Sequence, residues 1–564
     1  MSAERRDLRI LRQLAATPFI DRLELAAISG TSDRSAYDAV AVLESRGWAS
    51  SVTHATDLLR STRRFFLTSA GVRSIASLGD VDLDRILRMY PVSARWRRIL
   101  MERLDAVAVV YRLSSFMAAE QGPVALRWYR AAPLDAAIEL PDGRALGVLR
   151  QGRTSDRTGF SKRLRRLREG PLPGAVLLLM PDEVRLRYAR RLLKESPIRA
   201  LLALEQDAAL AGPEDPVWRL PSVAATLDLR HVISYVECGG ALPAEPEPLR
   251  AALPENIEIE GPGQKIPDWL LPSALKPAEK RVLDLIFDWP GIAPRHLRGV
   301  LGVSSARLYE VVGRLTEAGL VLRVSAGNRR LALADRGLAL LARRDRTSVG
   351  GARKRWSVEP IEPEASEGWR NVSGRRSRQL LRNVEHTAAV HAFIAALAEQ
   401  ARSMGWEIAQ LDPPFRASRH FPYGPLPARA GGTRSVHPDA FGALRRGTVT
   451  LPFFLEWERR AVRPASMARR LAPYLRYYST RRPIDDHGAT PIVLVVFQDM
   501  LAATHFLRVA REEMDRAGVE VPLLVSHEAA LDSLGPLGRV WREPGDWGTV
   551  HALPRSRERS QHGG

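Results

Sequence analysis

An internal repeat is the feature that most constrains how this chain can fold. Residues 8–78 can be laid over residues 282–341, and each segment has the pattern of three helices followed by two strands. The match continues beyond these segments, and the offset between paired residues grows from 272 at Gly47 to 323 at Trp218. Because the pairs keep their order while the offset grows, the sequence predicts a tandem duplication with insertions in the second copy.

The length of the chain and its proline- and glycine-rich stretches divide it further. A chain of 564 residues is too long for one hydrophobic core. The seven predicted segments are residues 1–90 (helical module, first copy), 91–238 (α/β domain, first copy), 239–277 (linker), 278–346 (helical module, second copy), 347–374 (linker), 375–553 (α/β domain, second copy) and 554–564 (disordered tail).

The charge of the chain indicates its class of partner. It has 84 basic and 64 acidic residues, a formal net charge of +20, which favours a polyanion. No apolar run reaches the length of a bilayer span and no signal pattern precedes the first helix, so nucleic acid is favoured over membrane. The single cysteine, Cys238, excludes an internal disulfide framework and a cysteine-rich zinc site. We expect a cytoplasmic protein, associated with the nucleoid or a plasmid, that binds double-stranded DNA.

Both helical modules have the pattern of a winged helix. In the second, Ser304 or Ser305 can cap a helix whose apolar residues face inward, and the segment after it has the pattern of two strands around a Gly-Asn turn. Such a helix can enter the major groove while the strands contact phosphates. Winged helices also dock on proteins, and this alternative stays open. The predicted DNA contacts are Arg34, Ser35, Tyr37, Arg63, Arg64, Arg307, Tyr309, Arg314, Arg329 and Arg330.

The second α/β segment has the element order of a nuclease fold. The pattern predicts one long amphipathic helix over residues 376–405, then three strands, a basic helix and a buried strand. This is the order of the PD-(D/E)xK fold. The predicted fold class is therefore multidomain α/β, with two winged-helix modules and two PD-(D/E)xK-like sandwiches in a diverged tandem duplication.

Acidic residues in this segment predict a metal site. In the PD-(D/E)xK pattern, Asp439 and Glu456 would bind Mg²⁺ or Mn²⁺ through oxygen, with Glu385 and Glu458 in support. Glu458 stands where the pattern expects a lysine and cannot replace a cation. Arg459, Arg469 and Arg470 could instead hold the phosphate, but arginine cannot act as a base.

The first copy lacks this set of acids. Asp135 is paired with Asp439, and the alignment puts Arg150 in the place of Glu456. One aspartate alone would hold a metal poorly. The first copy is therefore predicted to keep the fold of a nuclease without its site.

Two other chemistries have weaker support. His386 and His391 share a helix, but their five-residue spacing is poor for one metal ion, so a packing or surface role is favoured. A tyrosine nucleophile among Tyr474, Tyr477 and Tyr478 would need a nearby metal-binding histidine cluster, which the sequence lacks. The aromatic stripe is more simply the packing face of its helix.

Taken together, the winged helix and the stretches "EHTAAVHAFIAAL", "HPDAF", "FFLEWERR" and "YLRYY" resemble the replication-relaxation family of bacterial mobile elements. The resemblance implies DNA binding, DNA relaxation and nicking on a plasmid or integrative element, with other replication or mobilisation proteins as partners. Two hypotheses stay open: a metal-dependent nicking enzyme, or a non-catalytic DNA-binding regulator or replication accessory. The fused copies suggest a monomer that acts as a pseudo-dimer, or a homodimer.

Overall fold

The structure is a computed structural model. It describes residues 3–223, 225–247, 251–256, 266–325, 329–364, 368–424, 432–458 and 464–553. Side chains are described throughout these ranges except at residues 3–6, 325, 329, 464 and 465. The predicted tail and the Gly-Asn turn of the second module lie outside the described residues. No helix of the described ranges is long and apolar enough to cross a membrane.

The chain divides into two compact units. The first comprises Met1–Asp284, Leu315–Leu320 and Ala334–Arg355, and the second comprises Leu285–Arg314, Val321–Leu333 and Trp356–Gly564. Each unit contains helices and a mixed β-sheet, which confirms the α/β class. The seven predicted segments remain a prediction.

The N-terminal module begins the first unit. Its elements are α1 (Ala3–Ala16), α2 (Arg22–Ser29), α3 (Asp33–Ser45), β1 (Ala49–His54), β2 (Thr62–Leu67), α4 (Ser69–Gly79) and α5 (Leu83–Met89). Ser32 caps α3, because its side chain accepts a hydrogen bond from the Ser35 amide at 3.2 Å. Strands β1 and β2 pair antiparallel directly after α3.

An α/β sandwich follows in the same unit. Its elements are α6 (Ala94–Glu102), α7 (Leu104–Gln121), β3 (Ala125–Trp128), β4 (Ala136–Glu139), β5 (Ala145–Arg150), α8 (Arg157–Arg168), β6 (Ala175–Met180), α9 (Glu183–Leu193), β7 (Ala200–Leu204), α10 (Glu205–Leu210), β8 (Trp218–Arg219), β9 (Thr226–Leu227) and α11 (Leu229–Ser234). The sheet order is β3-β4-β5-β6-β7-β8-β9. Only the pairs β5–β6 and β6–β7 are parallel, and α8 and α9 connect them.

Side chains of the central strands point alternately to the two faces of the sheet, so the hydrophobic core has a part on each face. On β6, Leu177 packs in the cluster that contains Tyr111 of α7, whereas Leu178 packs with Phe160 and Leu167 of α8. Successive side chains of a strand point to opposite faces, so an apolar run such as residues 175–180 must be covered on both. Helices therefore cover the sheet on each side.

The middle of the chain forms a second module of the same pattern. Its elements are α12 (Leu271–Ala274), α13 (Pro277–Asp288), α14 (Pro294–Leu301), α15 (Ser305–Glu317), β10 (Val321–Ser325), β11 (Arg329–Leu333), α16 (Asp335–Arg344) and α17 (Val349–Trp356). Strands β10 and β11 pair antiparallel. Ser304 caps α15, since its hydroxyl accepts from the Arg307 amide at 3.3 Å. Ordered helices also lie in both segments that were expected to be linkers, as α12 and α17 show.

The second unit contains a sandwich with the same sheet plan. Its elements are α18 (Arg375–Arg382), α19 (Val384–Ser403), β12 (Glu407–Asp412), α20 (Pro414–Ala417), β13 (Arg419–Pro422), β14 (Thr433–Val436), β15 (Ala440–Arg446), β16 (Val449–Glu458), α21 (Pro464–Tyr478), α22 (Arg482–His487), β17 (Ile492–Phe497), α23 (Met500–Ala517), β18 (Leu523–His527), α24 (Glu528–Leu534), β19 (Trp541–Glu543) and β20 (Asp546–His551). The order is β12-β15-β16-β17-β18-β19-β20, with only β16–β17 and β17–β18 parallel.

The long helix predicted over residues 376–405 is in fact two helices. Asn383, at φ −110° and ψ 41°, separates α18 from α19, and Arg103 separates α6 from α7 with φ −110° and ψ 21°. The apolar stripe continues on both sides of this one-residue break. Hydrophobic periodicity alone therefore does not reveal the break. The break places α19 alone across the sheet of the second unit.

Candidate functional site

Asp439 is fixed at the entrance to β15 by three hydrogen bonds. Its amide donates to the Leu455 carbonyl at 2.8 Å, and its Oδ2 accepts from the Trp457 amide at 2.9 Å. Its Oδ1 lies 2.9 Å from Nε2 of His386, in the first turn of α19. The carboxylate is therefore held between strand β16 and helix α19.

Glu456 lies between the two β16 residues that contact Asp439. The Tyr474 hydroxyl, on α21, donates to Oε1 of Glu456 at 2.5 Å. Burial and the nearby charge of Asp439 raise the pKa of Glu456 to about 8, although the Tyr474 hydrogen bond and Arg470 act in the opposite direction. Such a shift is typical of a buried carboxyl group that lies beside a second carboxylate.

Glu458 does not join this pair. Its side chain is buried and forms an ion pair with Arg470, whose own side chain is half exposed. Arg469 is exposed on the same helix, and Arg459 lies outside the described residues. Glu458, the acid in the place of the expected lysine, is therefore ion-paired with Arg470 of α21.

The four predicted acids do not converge on one point. Among the described residues, no group of three or more His, Cys, Asp and Glu side chains is arranged to hold a metal ion. Glu385 is exposed on α19, while its neighbour His386 contacts Asp439. His386 contacts Asp439 and Arg470 pairs with Glu458, and the supporting role of Glu385 and Glu458 stays a prediction.

A cavity of about 290 Å³ opens beside Glu456. Polar groups from β16 and α21 lie at its wall, including Glu456, Glu458, Arg470 and Tyr474, and apolar side chains from β17 and α23 complete the lining. At roughly 30 Å³ per water molecule, this volume has room for about ten waters or a small polar group. It gives the carboxylate of Glu456 a space that a packed core position would not have.

Hydrogen bonds allow the same position to be found in the first unit. The Asp135 amide donates to the Val148 carbonyl at 2.8 Å, and the Asp439 amide donates to the Leu455 carbonyl at the same distance. Ala136 pairs with Val148, as Ala440 pairs with Leu455. Asp135 and Asp439 thus hold equivalent positions in sheets of the same order.

This register corrects the alignment by one residue. The Arg150 amide donates to Oδ2 of Asp135, as the Trp457 amide does to Oδ2 of Asp439. Arg150 is therefore equivalent to Trp457, and the equivalent of Glu456 is Leu149. The prediction that Arg150 stands in the place of Glu456 is wrong, because a sequence alignment of short strands does not detect a shift of one residue.

The polar residues around Asp439 have apolar counterparts in the first unit. Eighteen residues separate Glu456 from Tyr474, and eighteen separate Leu149 from Leu167. Both leucines are fully buried in one cluster. Helices α7 and α19 begin at matched residues, so the counterpart of His386 is an alanine. The matched pairs are Ala106 and His386, Leu149 and Glu456, and Leu167 and Tyr474.

Arginines enclose Asp135 in the first unit. Arg163 and Arg346 each approach its carboxylate at 2.9 Å, and Arg346 also donates to the backbone carbonyls of Ala132 and Leu134. Burial raises the pKa of Asp135, but the two arginines more than offset this and hold it well below its usual value. The carboxylate is thus fully used inside the fold, and the absence of a site in this copy stays a prediction.

Most of the predicted DNA contacts on α3 and β2 face outward. Arg34 is exposed, Ser35 is half-buried, and Tyr37 exposes 43% of its surface. Arg63 is exposed and forms an ion pair with Glu44. These side chains form a mixed polar and aromatic surface at the start of α3.

The second module presents a similar surface. Arg307 and Tyr309 are exposed on α15, and Arg314 is half-buried one turn further on. Glu310 forms ion pairs with both Arg307 and Arg314. The Arg329 side chain lies outside the described part of the chain.

Two arginines expected on exposed strands are buried instead. Arg64 exposes 2% of its surface and is ion-paired with Glu24 at 2.9 Å. Arg330 exposes 7%, and its guanidinium donates to the Gly291 carbonyl. Of two adjacent strand residues, one must point inward, so an Arg-Arg pair cannot present both charges to solvent. Outward orientation of Arg64 and Arg330 is therefore wrong.

Sequence reasoning missed the roles of His386 and Tyr474. His386, Val390 and Phe393 are spaced by four and three residues, and the latter two are buried. That spacing places His386 on the covered face of α19. The same spacing links Leu471 to Tyr474 on α21. A polar residue at the end of a buried apolar stripe was the sequence signal that could have indicated these two roles.

The fold and this site define an α/β protein with a mixed seven-stranded sheet and a pair of carboxylates, Asp439 and Glu456, at the neighbouring inner strands β15 and β16. Residues 295–493, about a third of the chain, match the model of the replication-relaxation family. The match includes His386, Asp439, Glu456 and Tyr474. The chain has no significant match among curated proteins or among solved structures.

Proposed function

We propose that this chain is a DNA-binding protein of a plasmid or mobile element that nicks DNA in a metal-dependent reaction at Asp439 and Glu456. The replication-relaxation family supports a role in replication or relaxation of such elements. The net charge of +20 supports a DNA partner.

One observation carries the proposal. The second unit has His386, Glu456 and Tyr474 where the first has an alanine and two buried leucines on the same sheet plan. Burial of an acid beside another acid destabilises a fold, whereas burial of leucine stabilises it. The polar set is therefore not required by the architecture, and a function at this position explains it.

The side chains fit a divalent cation. Mg²⁺ and Mn²⁺ prefer carboxylate oxygens, and Mg²⁺ is often held by one or two carboxylates while water fills its other positions. Asp439 and Glu456 offer that number of acids, and a cation beside them would oppose the burial and the Asp439 charge that raise the pKa of Glu456. When bound, it would activate water and stabilise the departing oxygen of a phosphodiester.

Residues of the chain itself position these acids. His386 and the Trp457 amide fix the orientation of Asp439, and Tyr474 fixes that of Glu456. The exposed guanidiniums of Arg469 and Arg470 would hold the phosphate. Glu458 stands in the place of the expected lysine and pairs with Arg470, and arginine would hold the phosphate without serving as a base.

The surrounding modules would bind the DNA. The helix and strand order of both modules supports winged helices that place α3 and α15 in the major groove of duplex DNA. The shared sheet order supports a tandem pair of PD-(D/E)xK-like sandwiches. In this proposal the chain acts as a pseudo-dimer or forms a homodimer, with other replication or mobilisation proteins as partners.

A non-catalytic regulator is the second candidate, and one observation favours it. Arg470 neutralises Glu458, and the described residues contain no group of three metal-ligating side chains. In that case the nuclease-like sandwiches would be scaffolds for DNA binding.

Supercoiled-plasmid conversion with Mg²⁺ or Mn²⁺ tests the proposal. We compare the full chain with Asp439→Ala and with Asp515→Ala, an exposed acid of α23, and run a gel shift on each. Metal-dependent nicking that is lost only in Asp439→Ala, with an unchanged gel shift, supports the enzyme. DNA binding by all three proteins without nicking supports the regulator.

A further inference from the structure

Trp369 has an unusual position for a tryptophan of this chain. Of the 12 tryptophans, all within the described ranges, only Trp369 and Trp547 count as exposed, and Trp369 exposes 38% of its surface. The guanidiniums of Arg370 and Arg382 lie 5.3 and 5.7 Å from its ring centroid. An exposed indole held between two arginines is a platform rather than a core residue.

The chain around Trp369 is strongly basic. Residues 368–384 contain five arginines and no acid. Arg378 is half-buried, while Arg370, Arg375, Arg376 and Arg382 are exposed. Within the described ranges, no carboxylate forms an ion pair with any of the five. Elsewhere many arginines are neutralised by nearby acids, so this positive charge is available to a partner.

Backbone contacts fix this segment to the second unit. Pro360 and Val372 form an antiparallel bridge, and the Gly374 amide donates to the Ser357 carbonyl at 3.0 Å. The buried Ser377 hydroxyl donates to the Trp356 carbonyl at 2.8 Å. The indole is thus presented from a fixed backbone, which lowers the entropy lost when a ligand stacks on it.

We propose that Trp369, Arg370, Arg375, Arg376 and Arg382, here the Trp369 surface, bind a single DNA strand. Positive charge that follows a backbone, combined with an aromatic ring on which a base can stack, is the chemistry of single-strand recognition. A duplex keeps its bases stacked inside and cannot offer a base to the indole. A stacked base would replace a guanidinium at the ring, and that arginine would move to a phosphate.

The Trp369 surface adjoins the candidate site along the chain. Arg382 precedes His386 by four residues, a span of at most roughly 14 Å. This short connection links the Trp369 surface to the helix whose His386 contacts Asp439. The inference rests on the proposed function and adds that the site receives an unpaired strand rather than an intact duplex.

Fluorescence anisotropy with the full chain tests this proposal. The probes are a labelled oligonucleotide, unpaired and annealed to its complement. The variants are Trp369→Ala, Trp369→Phe and, as a matched exposed tryptophan of the same unit, Trp547→Ala. We expect Trp369→Ala to weaken single-strand binding roughly tenfold. Trp369→Phe should retain most of the affinity, and Trp547→Ala should bind as the wild type does.

Duplex binding, measured in the same titration, distinguishes failure of the Trp369 proposal from failure of the proposed function. We expect it to change little in Trp369→Ala. If the wild type binds duplex but Trp369→Ala and Trp547→Ala bind the single strand equally well, the Trp369 surface is refuted and the proposed function survives. Equal weakening toward both probes also refutes it. If the wild type binds neither probe, the proposed DNA-binding function fails as well.

Discussion

Leu149 and Glu456 occupy the same position of the same strand in two sheets of identical order. Leu149 is fully buried against helix α8, whereas Glu456 lies between the hydroxyl of Tyr474 and the charge of Asp439. The chain therefore contains its own apolar reference for the acid. Leucine satisfies the fold at this position, so an acid there is not needed for folding.

A double substitution tests this comparison directly. Glu456→Leu with Tyr474→Leu recreates the leucine pair of the first unit, so we expect the free energy of unfolding to rise by about 0.5–2 kcal/mol. Thermal unfolding measures this change, and nicking should be lost. Leu149→Glu, the reverse change, should destabilise by about 3 kcal/mol or more because it buries a charge. A double variant less stable than wild type would contradict the comparison.

The pH dependence of stability should reveal the proton on Glu456. The pKa of about 8 in the folded protein exceeds the ordinary value of 4.5, so the folded state binds more protons than the unfolded state between these values. Stability must then fall as pH rises through this range, by at most about 1.4 kcal/mol per pH unit. Glu456→Gln should fall less steeply in chemical denaturation between about pH 6 and 8. Parallel curves for the two proteins would argue against a raised pKa.

Metal affinity should depend on whether Glu456 is protonated. Because Glu456 must lose its proton to bind a cation, affinity for Mn²⁺ should rise with pH, by up to about tenfold per unit below the pKa. Tyr474→Phe removes a hydrogen bond that lowers the pKa, so its profile should shift to higher pH. Titration calorimetry measures both. Tyr474→Phe should still nick DNA, whereas loss of nicking would revive a tyrosine nucleophile.

The two equivalent aspartates should respond differently to the same change. Asp135→Asn leaves the buried Arg163 and Arg346 without a full counter-charge, so we expect destabilisation by about 3 kcal/mol or more with nicking intact in the protein that remains folded. Asp439→Asn should abolish nicking with little effect on melting temperature. Equal loss of stability in both variants would make Asp439 a structural residue.

Substitution of exposed arginines should weaken DNA binding, whereas substitution of buried arginines should destabilise the fold. Arg34→Ala and Arg307→Ala should each weaken duplex binding and reduce the slope of log affinity against log salt by about one. Arg64→Ala and Arg330→Ala should lower the melting temperature and leave that slope unchanged, because both side chains are buried. Anisotropy titrations at several salt concentrations, with melting curves, would check this. A reduced slope in Arg330→Ala would overturn the distinction.

The prediction of the local elements from sequence depended on patterns that a single segment contains. The apolar run before Glu456 predicted β16, and serines at the starts of α3 and α15 marked their caps. Alternation and capping are local, so one chain is enough to detect them. The family resemblance also came from short local motifs and is confirmed over residues 295–493.

The sequence by itself determined the α/β class and the repeated order of elements, and it supplied Asp439 and Glu456 as candidate acids, because each depends on neighbours along the chain. Only the tertiary structure decided which groups touch those acids: His386 reaches Asp439 across 53 residues, and Arg346 reaches Asp135 across 211. It also showed that Leu149, not Arg150, is the equivalent of Glu456. Both strands are buried on both faces, so their apolar runs lack the alternation that would fix an alignment to one residue.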